Sequence, residues 1–119
     1  MRVLLGDLAG GSQSLAEVDV VRMCRENGLR VPDRQVRRRD TAGALRYTDC
    51  EWDLPDGRTL VLEVDGAFHI EVRHYELDVR RHRRLTTPTR SVIRCTSQEL
   101  RTEPWVLAAD LRALGVPAA

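Results

Sequence analysis

The stretch Leu45–Asp65, "LRYTDCEWDLPDGRTLVLEVD", decides the fold. Its first half alternates, with Thr48, Cys50, Trp52 and Leu54 on one side and Tyr47, Asp49, Glu51 and Asp53 on the other, the period of a strand with one acidic face. Pro55-Asp56-Gly57 then suits a three-residue hairpin loop, proline fixing the first turn position and glycine taking the left-handed one. Arg58 to Asp65 returns as the next strand. If Leu54 pairs with Arg58, the register sets Trp52 opposite Leu60, Cys50 opposite Leu62, Asp49 opposite Glu63 and Tyr47 opposite Asp65. Directly opposed residues share a face, so Asp49, Glu63 and Asp65 are expected to project from the same side of the sheet.

Working outward, "SLAEVDVVRMCRENG" places Ser14 and Glu17 in capping-box spacing. It predicts a helix with Leu15, Val18, Val21, Met23 and Cys24 on its apolar face, closed by Gly28. "RQVRRRD" reads as a short polar strand ending in a turn from Asp40 to Gly43. Beyond Gly66, "EVRHYELDVRRHRRL" predicts a second helix with Val72, Tyr75, Val79 and Leu85 on its apolar side, and "SVIRC" a short β-branched strand. Thr96 and Glu99 repeat the capping-box spacing, Pro104 restarts the helix, and Gly115 ends it. The expected class is α/β: helix, three meandering strands, a helical crossover to a fourth strand, and a C-terminal helix. That order predicts a mixed four-stranded sheet with flanking helices. Residues 1–12 form a loose or helical lead and residues 13–119 a single domain.

Composition narrows the chemistry. All 19 basic residues are arginine, so no lysine-dependent mechanism is open, and a net charge of +1 confines any attraction for nucleic acid to local patches. Cys24, Cys50 and Cys95 are few, spread out and set among apolar residues, as reduced core thiols are. "MRVLLGDLAGG" is too short and too polar for a signal peptide or membrane span, and the expected location is the cytoplasm. Aromatics make up 4% of the chain, and most of Trp52, Trp105, Tyr47, Tyr75 and Phe68 are expected in the core.

Opposed carboxylates destabilise a strand pair unless something offsets their charge. A divalent cation does so: Mg²⁺ or Mn²⁺ is held by one or two carboxylates plus water and phosphate oxygens, and suits phosphodiester hydrolysis. Asp49 and Glu63 are the expected metal ligands, Asp65 a ligand or water-orienting group, and His69 a base or proton shuttle. Glu17 adds a further carboxylate if the first helix packs over that face. The competing explanation is a solvated acidic face with Arg37, Arg38 or Arg39 as counterions. His74, Asp78 and His82 recur at i, i+4 and i+8, but such positions span two turns and rarely converge on one zinc ion. The arginines from Arg80 to Arg84 are either a wet helix face or contacts to phosphate.

"YTDCEWDLPDGRTLVLEVDGAFH", followed by "ELDVRRHRRL" and "SVIRC", resembles the restriction-endonuclease-like domains of the PD-(D/E)XK superfamily, near the very-short-patch repair endonucleases and their actinobacterial relatives in antitoxin-like regulators. The resemblance runs from Ser14 to about Gly115. It implies an αβββαβ core and magnesium at an acidic cluster, with Asp49 on the second strand and Glu63, Asp65 and His69 from the third. It also implies supporting roles for Glu17, Gln35 and Asp78, with Arg81 beside them. Separately, Arg37, Arg39, Arg81 and Arg84 are the expected contacts to nucleic acid. Two departures stand out: Asp65 occupies the position of the usual motif lysine, and Cys50 that of a bulky apolar residue. The implied function is a Mg²⁺-dependent DNA endonuclease. The alternative is a catalytically silent domain that binds DNA or a protein partner, with a DNA-binding module outside this chain.

Overall fold

A computed structural model describes residues 5–66 and 72–119. The elements run α1 (Leu5–Glu26), β1 (Asp33–Arg39), β2 (Leu45–Asp53), β3 (Thr59–Asp65), α2 (Val72–Leu85), β4 (Arg90–Thr96), α3 (Ser97–Thr102) and α4 (Pro104–Ala113). The sheet has the order β1-β2-β3-β4, antiparallel through the first two pairings and parallel between β3 and β4. This is the expected α/β class with a mixed four-stranded sheet. Parallel pairing requires a crossover, and α2 supplies it.

The hairpin forms as its loop dictates. Gly57 takes φ +89°, the Leu54 N–H donates to Arg58 O at 2.8 Å, and the Gly57 N–H closes the turn on Leu54 O at 3.0 Å. Trp52 then pairs with Leu60 and Cys50 with Leu62. That face, with Val64 and Ile93, packs against α1, α3 and α4 to form the core, which holds Val20, Met23, Leu100, Leu107 and Leu111. Trp52 lies at its centre, 1% exposed, with its indole N–H donated to Arg30 O at 2.7 Å.

The opposite face faces α2. Val61 and Leu85 are buried there, and so is Glu51, whose carboxylate accepts the Arg38 guanidinium at 2.6 Å and the Thr48 hydroxyl at 2.6 Å. Two partners make that buried charge tolerable. Arg38 is therefore a counterion, as the solvated-face reading supposed, but its partner is Glu51.

Several expectations change. Ser14 lies inside α1, so it does not cap the helix. The buried face of α1 carries Glu17, Val20, Met23 and Cys24, and leaves Leu15 and Val18 exposed because they project on other sides of the helix. Trp105 is 61% exposed: it stands two residues before Leu107, about 200° around α4 from the buried stripe. Tyr47 and Tyr75 are exposed as well, and Phe68 lies outside the described residues. The second capping box holds, with the Glu99 N–H donating to Thr96 Oγ1 at 3.0 Å, and Pro104 opens α4. All three cysteines are free and buried, and burial pushes the Cys24 thiol up to about 11 and Cys95 up to about 12, values unsuited to nucleophiles. Among the described residues no helix is long and apolar enough to cross a membrane.

The two tryptophans make a direct test of this packing. Trp52→Phe strands the Arg30 carbonyl and leaves a void, so urea unfolding is expected to show a loss of roughly 1–3 kcal/mol. Trp105→Ala, at an exposed site, is expected within about 0.5 kcal/mol of wild type.

Candidate functional site

Ladder pairing between β2 and β3 runs from Asp53↔Thr59 to Cys50↔Leu62 and goes no further, so Asp49 and Glu63 are not backbone partners. Side chains replace the ladder at this point. The Asp49 N–H donates to Glu63 Oε2 at 3.1 Å, and the Val64 N–H donates to Asp49 Oδ2 at 3.0 Å. The strands part here and two carboxylates fill the opening. On the other side of β2, pairing with β1 is interrupted between Arg34↔Cys50 and Val36↔Thr48. Gln35 sits in that gap at φ +53°, a left-handed conformation that costs a non-glycine residue about 1–2 kcal/mol. Its amide reaches across to Glu17 Oε2 at 2.9 Å.

A cleft of about 300 Å³ opens at this point, lined by Gln35, Tyr47, Asp49, Glu63, Val64, Asp65, Asp78, Arg81, His82 and Arg94. Two arginines hold its acids apart. Arg81 donates to Glu63 Oε1 at 2.5 Å and to the Tyr47 carbonyl at 2.9 Å. Arg94 forks onto Asp65, at 3.0 and 2.8 Å, and also reaches Asp78. Among the described residues Asp49 has no such cation. Burial, with the neighbouring charge of Glu63 and a smaller effect of Glu17, pushes its carboxyl up to about 7 against the lowering effect of the Val64 N–H. Asp49 thus keeps its proton well above the ordinary carboxylate range, which suits a carboxyl that exchanges a proton or gives it up to a cation.

The structure brings most of the expected site together. Asp49, Glu63, Asp65, Gln35, Asp78 and Arg81 all line the cleft. Glu17 stands behind it, joined through Gln35. His69 lies outside the described residues. Arg37 and Arg39 are on β1 away from the cleft, Arg39 donating to Gly43 O, and Arg84 lines a separate groove. Sequence reasoning missed Arg94 and His82 as wall residues. Arg94 becomes a neighbour of Glu63 only through the parallel register of β3 and β4, which spacing within "SVIRC" cannot reveal. His82 was visible only as one member of the His74, Asp78, His82 row.

The donor set fits a small hard cation only in part. Among the described residues no three His, Cys, Asp or Glu side chains form a ready cage. Asp49 and Glu63 together do meet the lesser need of Mg²⁺, which takes one or two carboxylates and completes its shell with water and phosphate oxygens.

No family model and no solved structure matches the chain. A curated protein of Methanosarcina barkeri, named "Probable deoxyuridine 5'-triphosphate nucleotidohydrolase", is 32% identical over 75 residues, 61% of this chain. The chain covers 44% of that relative's length. This similarity overturns the restriction-endonuclease-like assignment and the DNA-endonuclease function drawn from it, together with the silent nuclease-like alternative, because the relative bears the name of a nucleotide hydrolase. The resemblance misled because an acidic strand pair followed by a crossover helix is an arrangement of elements, and unrelated chemistries can use the same arrangement.

Proposed function

We propose that the protein is a hydrolase of phosphoanhydride bonds in a nucleotide, assisted by a divalent cation between Asp49 and Glu63. The observation that carries this reading is a cleft in which an Asp49 carboxyl raised to about 7 sits with Glu63 and Asp65 under two arginines. The printed name of the Methanosarcina barkeri relative supports the substrate class. Acids alone would repel a polyphosphate. Arg81 and Arg94, both inside the cleft, supply fixed positive charge for it, and arginine's planar fork suits phosphate oxygens.

When bound, the cation would polarise a phosphate oxygen and lower the pKa of a water. This chain's own groups do the rest. Asp49 and Glu63 hold the charge, Asp65 orients the attacking water, and Arg81 and Arg94 balance the charge that builds on the phosphate. His82, on the cleft wall, is the side chain there with a ring nitrogen able to accept a proton from the attacking water. Water adds to phosphorus, the bridging P–O bond breaks, and the water's proton leaves through such a base.

Phosphate and pyrophosphate release from a panel of nucleoside triphosphates, deoxyuridine triphosphate included, tests the reading in the presence of Mg²⁺. Wild type is expected to turn over at least one of them, with Asp49→Asn and Glu63→Gln slower by on the order of 10²-fold or more. A wild type inert towards the whole panel would sink the proposal.

The raised Asp49 carboxyl also sets a pH dependence of stability. The folded protein binds this proton more tightly than the unfolded chain, whose value is about 4, so the contribution of Asp49 to metal-free stability falls as pH rises from about 4 to about 7. Below that window both states are protonated and the penalty is absent. Thermal unfolding in EDTA across this range is expected to show wild type losing roughly 1–4 kcal/mol relative to Asp49→Asn. Added Mg²⁺ at pH 8 is expected to raise the wild-type Tm and to leave that variant unchanged.

A further inference from the structure

Beside the carboxylate cleft lies a second groove of about 400 Å³, lined by Arg46, Leu77, Asp78, Arg80, Arg81 and Arg84. The two share Asp78 and Arg81. The geometry of α2 explains why. Leu77, Arg80, Arg81 and Arg84 follow i, i+3, i+4, i+7, so they form one helical stripe, while Asp78, Arg81 and His82 form the adjacent one. Arg81 is the ridge between them. The far wall of the groove comes from β2 through Arg46.

The charge in this groove is not balanced from within. Arg46 pairs with Asp40 at 3.3 Å, Arg81 with Glu63, and Asp78 with Arg94. Among the described residues Arg80 and Arg84 have no carboxylate partner. Cations in the last turn of a helix are favoured by its dipole, which accounts for Arg83 and Arg84 as a bland feature. It does not account for Arg46 converging on them from another element, or for a groove that shares Asp78 and Arg81 with the acidic cleft.

We propose that this groove binds the phosphate chain of a polyphosphorylated ligand, the distal phosphates lying along Arg80, Arg84 and Arg46 while the bond to be broken sits at the Arg81 ridge beside Asp49 and Glu63. The role of that chain as part of a substrate rests on the hydrolase reading above. The groove as an anion site rests on its own residues. It assigns the substrate as a nucleoside triphosphate in preference to a monophosphate, because a single phosphate engaged at the cleft would leave Arg80 and Arg84 uncompensated.

Calorimetric titration with inorganic tripolyphosphate in EDTA tests the groove without any need for hydrolysis. Wild type is expected to bind saturably, more weakly as salt rises. The double variant Arg80→Gln/Arg84→Gln is expected to lose on the order of tenfold or more in affinity, with an unchanged far-ultraviolet spectrum, and Arg22→Gln, on α1, to bind as wild type does. Absence of saturable binding by wild type, full affinity in the double variant, or an equal loss in Arg22→Gln would each overturn the proposal. A protein that binds tripolyphosphate through Arg80 and Arg84 but hydrolyses no nucleotide would keep the groove and remove the hydrolase reading, so the two failures are distinct.

Discussion

Two hydrogen bonds between side chains and backbone, Asp49 N–H to Glu63 and Val64 N–H to Asp49, replace the sheet ladder where β2 and β3 part. An unmet backbone donor inside a sheet costs as much as a lost hydrogen bond, so strands separate there only if something else accepts those protons. The two carboxylates do so, and they are thereby fixed in a low-dielectric opening with Glu17 behind them. The raised Asp49 proton affinity, the arginines drawn to Glu63 and Asp65, and the cleft itself all follow from that substitution.

The remainder of the molecule holds this opening in place. The PDG turn sets the β2–β3 register, and Trp52, tied to Arg30, anchors the core face only three residues from Asp49. Gln35 adds a strained backbone on the opposite side of β2 and links the sheet to Glu17 of α1. Strain of this kind persists only where the surroundings over-determine it, and here it adjoins Asp49, whose carboxyl is pushed up by burial. On the far side α2 presents Asp78, Arg81 and His82 to the cleft and Arg80 and Arg84 to the basic groove, so a single helix borders both.

The acidic residues and the arginines have separate origins, and the balance between them distinguishes this site from a plain cation trap. Glu63 and Asp65 each engage a guanidinium, whereas among the described residues Asp49 engages a backbone N–H and its acidic neighbours alone. A polyphosphate entering with its own negative charge would compete for the arginines and free the carboxylates for a cation. The same side chains would then serve two roles in sequence, stabilising the empty cleft and receiving the ligand.

Much of the fold was legible in the amino-acid order. Alternation along Cys50–Leu54, the turn chemistry of Pro55 to Gly57, the capping pair Thr96 and Glu99, and the break at Pro104 are local signals governed by backbone sterics and nearest-neighbour hydrogen bonds, and each held; at Thr48 the alternation fails, because the interrupted β1–β2 pairing turns Thr48 to the Glu51 face. Asp49, Glu63 and Asp65 also gather at one end of the sheet, although the expected pairing of Asp49 with Glu63 and Tyr47 with Asp65 does not form and the ladder stops at Cys50↔Leu62. What failed depended on distant partners: which stripe of α1 would be buried, the exposure of Trp105, and the family inferred from the arrangement of acids. The sequence by itself determined the strands, the β2–β3 register from the turn as far as Cys50 and Leu62, and the position of the acids along them. Only the tertiary structure decided that the ladder would open at Asp49, that Arg94 would join the cleft through parallel pairing with β3, and that α2 would lie between two grooves, because each depends on contacts between elements far apart in the chain.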